Sequence, residues 1–455
     1  MSRLFGTDGV RGVANADLRP ELAFALGRAS AAVFDRTVAP EHPVVVGRDT
    51  RLSGSMLEAA IVAGITSTGR NIVLVGVVPT PAVAAITRLI DAAAGVMISA
   101  SHNPIEDNGI KFFGGDGFKL SDAVEDEIEA LVDDPTIARP THAHVGVATH
   151  ARGLIDRYFA QLVTSGGDLS GMTIVVDAAF GAAYDVGPRI LRKLGADVIA
   201  INADDDGGRI NVDCGATNLA MLQQTVKDVA AARGGAVVGV GFDGDADRAL
   251  FVDETGAILS GDHIMLIIAR EMKARGSLVG DLVVGTVMSN VGLERALAQE
   301  GIALMRAPVG DRYVLEAMRA GGYVFGGEQS GHIIDLARNT TGDGPMSAVT
   351  LFSIVARSGK SLHELAAALT VYPQILLNVR VTRKDVLGSD PQIAAAIAEA
   401  ERELGTEGRI LVRASGTEPL IRVMIEGSDS QSIGALAERV AQTIRSAAGV
   451  SKVGT

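Results

Sequence analysis

Three aspartates at alternate positions, Asp243, Asp245 and Asp247, follow directly on an apolar run, residues 236–242 (AVVGVGF). Carboxylates so close together repel one another, so the spacing is unfavourable on a plain surface and makes sense around a hard divalent cation. Mg²⁺ suits the set best, because three carboxylates leave coordination positions for water and a phosphate oxygen. The same residues with Glu254 also fall on positions one, three, five and twelve of a calcium EF-hand loop. That reading fails at position six, where glycine is needed and Arg248 stands, and the flanks are strand-like.

A second stretch, residues 94–113 (AGVMISASHNPIEDNGIKFF), ends an apolar run in small polar residues and presents Ser101 and His102 at a sheet edge. Pro104 cannot continue a ladder and Asn108-Gly109 reads as a tight turn, so the loop is shaped. The chain resumes as a strand from Ile110 to Phe113 that carries Lys111. Taken alone, Ser-His-Asn-Pro is also ordinary turn chemistry, and neighbouring Ser and His side chains need not meet in space. Three aspartates and one Mg²⁺ leave a net negative site, so a phosphorylated serine beside them needs further cations; Arg248, Lys111 and Arg11 are the candidates.

Three more clusters carry chemistry. RLFGTDGVRG, from residue 3, sets Arg3, Asp8 and Arg11 among Gly6, Gly9 and Gly12, a loop in which backbone can approach a ligand. RASGTEPLIRV places Arg413, Ser415, Gly416, Thr417 and Arg422 between two strands. Hydroxyls, amides freed by glycine and guanidinium groups make a phosphate cradle, with a plain hairpin loop as the alternative. In GGEQSGH, Glu328 and Ser330 can hydrogen-bond neighbouring hydroxyls of a sugar ring, while His332 by itself reads as structural.

The elements that position these groups are those of a large α/β protein. At 455 residues the chain exceeds one ordinary core, and 47% hydrophobic residues with 54 glycines and 14 prolines mark it as folded and glycine-punctuated. A net charge of −13 argues against nucleic-acid or anionic-membrane binding, so cations for phosphate must be gathered locally. The single cysteine, Cys214, rules out an internal disulfide and fits a reducing compartment; with no secretory signal and no membrane span, cytoplasm is the expectation. Residues 1–150 form a first α/β domain, in which Arg48 and Arg51 lie just beyond the strand of residues 43–47 and Ser53 or Ser55 caps the next helix. His142, His144 and His150 fall in a polar connection without supporting ligands and read as linker or surface strand. Residues 151–255 and 256–371 repeat the strand–helix pattern, giving three related α/β domains with mixed or parallel sheets and right-handed crossovers. Residues 372–455 alternate Leu377, Val379 and Val381, then show a helix from Pro391 to Leu404 and a strand pair around ASGTEP, an α+β pattern.

Taken in order, FGTDGVRG, SASHNP, GFDGDADR, GGEQSGH and RASGTEP resemble the α-D-phosphohexomutase superfamily over essentially the full chain. The resemblance implies three related α/β domains and a fourth, TATA-binding-protein-like domain around a central cleft. It implies that Ser101 is phosphorylated in the active enzyme and that Asp243, Asp245 and Asp247, with Ser101, hold Mg²⁺. Lys111, Arg11, Arg248 and His102 resemble the catalytic and charge-stabilising groups. Glu328, Ser330 and His332 resemble the sugar-reading loop, and Arg413, Ser415, Gly416, Thr417 and Arg422 the phosphate clamp. Some glucose and mannose members carry histidine where VGDRYV puts Asp311, and the wording FGTDGVRG with GEQSGH is that of the glucosamine branch. The implied reaction runs from glucosamine 6-phosphate through a bound 1,6-bisphosphate to glucosamine 1-phosphate, feeding UDP-N-acetylglucosamine synthesis, with Lys111 taking the proton. A homodimer is a further expectation of the resemblance. A glucose or mannose phosphate mutase, and a phosphatase with a phosphoserine intermediate, stay open beside it.

Overall fold

The computed structural model describes residues 3–415 and 419–448. By compactness the chain divides into two units, Met1–Thr286 with Met305–Ala367, and Val287–Leu304 with Ala368–Thr455. The smaller unit thus draws a piece from within residues 256–371.

In the larger unit, the first sheet runs Val10–Val13, Asp107–Gly114, Ala94–Ile98, Val44–Arg48, Ile72–Val77, Ala148–His150 in spatial order. Its central strands are apolar because both faces are covered. Val44, Val46, Val96 and Ile98 share one core with Leu26, Leu57, Ile61 and Ile65 of the helices Pro20–Phe34 and Gly54–Thr66. On the other face Gly47 and Gly95 lack the Cβ that would collide with Val83 of helix Thr80–Leu89, so that helix seats closely. The second sheet runs Ile258–Leu259, Ala249–Val252, Val237–Phe242, Thr173–Asp177, Asp197–Ile201. In the third, Leu282–Thr286 pairs in parallel with Phe325–Gly327.

Each of these sheets ends in the same device. Ala94–Ile98 turns back into antiparallel Asp107–Gly114, Val237–Phe242 into Ala249–Val252, and Phe325–Gly327 into Ile333–Asp335. The expected parallel crossovers hold for the sheet centres, whereas the chemistry-bearing loops are hairpin loops, too short for a crossover of about a dozen residues.

Two local expectations are overturned. Asn108-Gly109 is no turn: both residues lie in a strand, paired with Gly12 and Arg11, and the chain bends earlier, where Asp107 N–H donates to Pro104 O at 3.2 Å. Pairing with the N-terminal strand overrides the local turn preference. Ser53 precedes helix Gly54–Thr66 without capping it through its side chain; its Oγ instead accepts from Asn108 Nδ2 at 2.9 Å. His142–His144 form an exposed 3₁₀ turn and Ala148–His150 an exposed edge strand. No helix of the described residues is long and apolar enough to cross a membrane.

The smaller unit holds an antiparallel sheet, Gln374–Arg380, Leu420–Gly427, Gly408–Ala414. Ile421, Val423 and Ile425 alternate inward against Ile393 of helix Pro391–Leu404 and Leu436 and Val440 of helix Ser430–Ala448.

Candidate active site

Ser101 sits in the left-handed region, φ 52°, a conformation that costs a non-glycine residue on the order of 1–3 kcal/mol and persists only where neighbours over-determine it. The neighbours are explicit. Arg51, fully buried, donates through Nη2 to the carbonyls of Ser101 (2.9 Å) and Asn103 (2.8 Å) and through Nη1 to those of Pro104 (2.5 Å) and Asp107 (2.9 Å). Its Nε pairs with Asp49 at 3.1 Å; Asp49 Oδ2 also accepts from Ser99 Oγ, which in turn accepts from Ser101 N–H. Asn211 Nδ2 adds a second donor to Ser101 O at 2.9 Å. Sequence reading put Arg51 beyond a strand and gave neither it nor Asn211 a part in the loop. The D-x-R spacing, whose carboxylate also caps Arg51 N–H at 2.9 Å, was the available signal.

The strained backbone aims Ser101 Oγ at the aspartate loop, where it donates to Asp243 Oδ2 at 2.6 Å. Gly244 allows this approach, because a Cβ there would stand 2.5 Å from Ser101 O. The acidic oxygens of Asp243, Asp245 and Asp247 lie within 4.8 Å of one another, all buried. Asp245 Oδ1 and Asp247 Oδ1 have no hydrogen-bond partner among the described residues, and buried oxygens in that state are costly without a cation. The donor set therefore fits a hard divalent metal. Burial, then the charges of Asp247 and Asp245, push the Asp243 carboxyl well up. Asp247 goes the other way: burial is outweighed by His332, Lys111 and Arg248.

Lys111 Nζ stands 2.8 Å from Asp245 Oδ2 and 2.9 Å from Asp8 Oδ2. Burial alone would lower its pKa, but Asp245, Asp8 and Asp247 raise it well above the ordinary lysine value. Held as an ammonium among these carboxylates, Lys111 places positive charge beside the aspartate loop. Asp8, read only as part of a glycine loop, is its counterion; Lys111, Lys119 and Arg11 together overcome burial and hold its carboxyl well below the usual range. Lys119 also pairs with Asp311. Arg11 pairs with Asp8 and donates to Asn103 Oδ1 at 3.2 Å, so the N-terminal loop is fastened to the serine loop. Arg248 donates its N–H to Asp243 Oδ1 at 3.1 Å and brings Nε to 3.8 Å from Asp247 Oδ1. His102 Nδ1 stands 3.2 Å from Ser101 Oγ, its pKa lowered to about 4 by burial and then by Arg248 and Arg11.

The third hairpin loop joins this cluster through His332, whose Nδ1 is 3.6 Å from Asp247 Oδ2 and whose Nε2 accepts from Gly342 N–H at 3.2 Å. Glu328 Oε1 accepts from Gly310 N–H at 3.0 Å, and the buried Ser330 Oγ has no partner among the described residues.

In the smaller unit, Arg413 and Arg422 face each other directly across the two strands. Burial and then Arg422 pull the Arg413 pKa down. Like charges opposite one another are unfavourable, and an anion between them would reverse that. Lys384 Nζ, which sequence reading missed, donates to Ser415 O at 2.8 Å. Gly416 and Thr417 lie outside the described residues.

The chain matches four families described for phosphoglucomutase/phosphomannomutase: alpha/beta/alpha domain I over residues 2–138, domain II over 156–256, domain III over 260–372 and the C-terminal domain over 376–443. A phosphoglucosamine mutase of Symbiobacterium thermophilum is 53% identical over 448 residues, covering 98% of this chain and 99% of that one. Among solved structures, the fold is similar to a phosphoglucomutase/phosphomannomutase family protein from Burkholderia thailandensis (TM-score 0.83, 23% identity, 98% of both chains). It is also similar to Aspergillus fumigatus N-acetylphosphoglucosamine mutase, solved in complex with GlcNAc-6P and magnesium (TM-score 0.68, 19% identity, 98% of this chain and 96% of that one).

Proposed function

The chain belongs to the phosphoglucomutase/phosphomannomutase family, and we propose that it works as a phosphoglucosamine mutase with Ser101 as the covalent phosphoryl carrier. It is an isomerase, and glucosamine 6-phosphate and glucosamine 1-phosphate are the sugars it interconverts. The observation that carries the assignment of Ser101 is its Oγ, 2.6 Å from Asp243 in a backbone held left-handed. The 53% identity with a phosphoglucosamine mutase favours glucosamine over glucose or mannose.

In the first half-reaction the bond from phosphorus to Ser101 Oγ breaks and one to the sugar O1 forms, giving a 1,6-bisphosphate. The hydroxyl proton finishes on Oγ. In the second, the bond to O6 breaks, phosphorus returns to Oγ, and the proton passes to O6. His102, uncharged and with Nδ1 3.2 Å from Oγ, orients the hydroxyl between which and the sugar oxygens the proton passes. Lys111, Arg11 and Arg248 supply positive charge beside the transferring group. Asp243, Asp245 and Asp247, with an oxygen of phosphorylated Ser101, would hold Mg²⁺. Bound there, it would neutralise charge on the phosphoryl oxygens. Glu328 and Ser330 read ring hydroxyls, with His332 tying their loop to Asp247. Arg413, Ser415, Gly416, Thr417 and Arg422 bind the phosphate that is not transferring. A cytoplasmic homodimer belongs to the same reading and rests on the family resemblance.

The test is side-by-side turnover of glucosamine, N-acetylglucosamine, glucose and mannose phosphates, with free phosphate followed in parallel. Glucosamine phosphate should be preferred, with little phosphate released. Preference for glucose or mannose phosphate would assign another branch, and phosphate release at the rate of turnover would make the protein a phosphatase.

A further inference from the structure

The carboxylate of Asp245 is held entirely by one of its oxygens. Oδ2 accepts from Lys111 Nζ at 2.8 Å and from Thr80 Oγ1 at 2.6 Å, which uses both lone-pair directions of that atom. Oδ1 is buried and has no hydrogen-bond partner among the described residues. Thr80 reaches the same residue a second time, its N–H donating to Asp245 O at 2.9 Å.

Both hydrogen-bond donors of Thr80 thus serve one residue of the loop between strands Val237–Phe242 and Ala249–Val252. Thr80 opens helix Thr80–Leu89, yet its hydroxyl does not cap that helix, and its N–H is one of those a helix start leaves unused. Its setting is stiff. Pro79 and Pro81 fix φ on either side, and the β-branched side chain restricts χ1. Pro81 O accepts from Asn339 Nδ2 at 3.1 Å. That amide also donates to Asp343 Oδ2 at 2.8 Å, and Asp343 Oδ1 accepts from the buried Tyr158 OH at 2.7 Å. A polar network thereby pins the backbone from which Thr80 reaches Asp245.

We propose that Thr80 is the positioning residue of the divalent-cation site: by occupying Oδ2 together with Lys111 it turns Oδ1 of Asp245 toward the cation and sets how tightly that cation binds. Packing alone does not call for threonine here, because valine has the same shape, and a buried hydroxyl is unfavourable unless bonded. Partners that orient a metal's ligands typically change its affinity by roughly 10–100-fold when removed. The inference rests on the reading of Asp243, Asp245 and Asp247 as a Mg²⁺ site.

The experiment is isothermal titration of Mg²⁺, and of Mn²⁺ as a second probe, into metal-stripped full-length protein. Wild type, Thr80→Val, Thr80→Ser and Asp245→Asn are compared. Thr80→Val should weaken binding by about 10–100-fold and regain turnover as Mg²⁺ is raised, while Thr80→Ser should bind close to wild type. Wild-type affinity in Thr80→Val, or equal loss in Thr80→Val and Thr80→Ser, would overturn the proposal. Wild type that binds neither ion, or binding untouched by Asp245→Asn, would instead remove the cation site on which it rests. Should Thr80→Val not fold, Thr80→Ala deletes the same hydroxyl and is judged by the same outcomes.

Discussion

Arg51 donates to the carbonyl of Ser101 at 2.9 Å from a position with no solvent access to its side chain. Its fork reaches four carbonyls of one loop and one carboxylate, a geometry that three donors on a single nitrogen cannot copy. Arg51→Lys keeps the charge opposite Asp49 and releases most of the loop. Because misplacing a reacting atom by about 1 Å costs roughly 100-fold, kcat should fall by about that factor. Stopped assays of kcat against KM, beside a thermal melt, check this. An unchanged kcat in a folded variant would mean that the loop holds its shape without Arg51.

Ser101→Ala removes the proposed carrier oxygen and leaves the strained backbone in place. Intact-mass measurement should find one phosphoryl group on the active protein and none on the variant, with turnover lost. The variant should still fold, at a cost of about 1–3 kcal/mol, because Asp243 Oδ2 loses its short hydrogen bond while buried. A variant that keeps both the phosphoryl group and the activity would place the carrier elsewhere.

The aspartate trio was readable from sequence because its signal is local: like charges two residues apart are a cost visible in the chain itself. Ser101 was readable as the polar end of an apolar strand. Thr80 was not, and of Arg51 only its pairing with Asp49 is local, since Ser101 O and Asp245 lie 50 and 165 residues from Arg51 and Thr80 and only the fold brings them together. Asn108-Gly109 shows the reverse failure, a sound local turn signal overridden by strand pairing with Gly12 and Arg11. Lys111 is legible on its strand, but its counterions Asp245 and Asp8 come from loops far away in the chain and only the fold brings them to it.

Cys214 supplies a pH prediction. Burial, then Asp177 and Asp213, push its thiol up to about 12. The thiolate is the reactive form, so the folded protein should resist a disulfide reagent at pH 8 and react once per chain in denaturant. Folding favours the protonated thiol, so the linked stability is complete below the unfolded cysteine pKa of about 8.5 and is lost as pH rises toward 12. Chemical denaturation of wild type and Cys214→Ala between pH 8 and pH 10 should therefore show the wild-type advantage shrinking with rising pH. An advantage that grows would reverse the sign.

Arg413 and Arg422 make a prediction in which stability and binding move in opposite directions. Their guanidinium groups stand on directly opposed strand positions. Like charges so placed cost the free protein a few tenths to about 1 kcal/mol. Arg413→Ala removes that repulsion and, on the proposed clamp, a charge-assisted hydrogen bond to phosphate of about 1.5–3 kcal/mol. The Tm of the free enzyme should hold or rise slightly while KM for the phosphosugar rises by roughly 10–100-fold. Glu or Asp in place of Arg413 should raise KM further, by repelling the same anion. A variant with lower Tm and unchanged KM would make Arg413 a structural residue of the sheet, and the phosphate would have to be held by other groups.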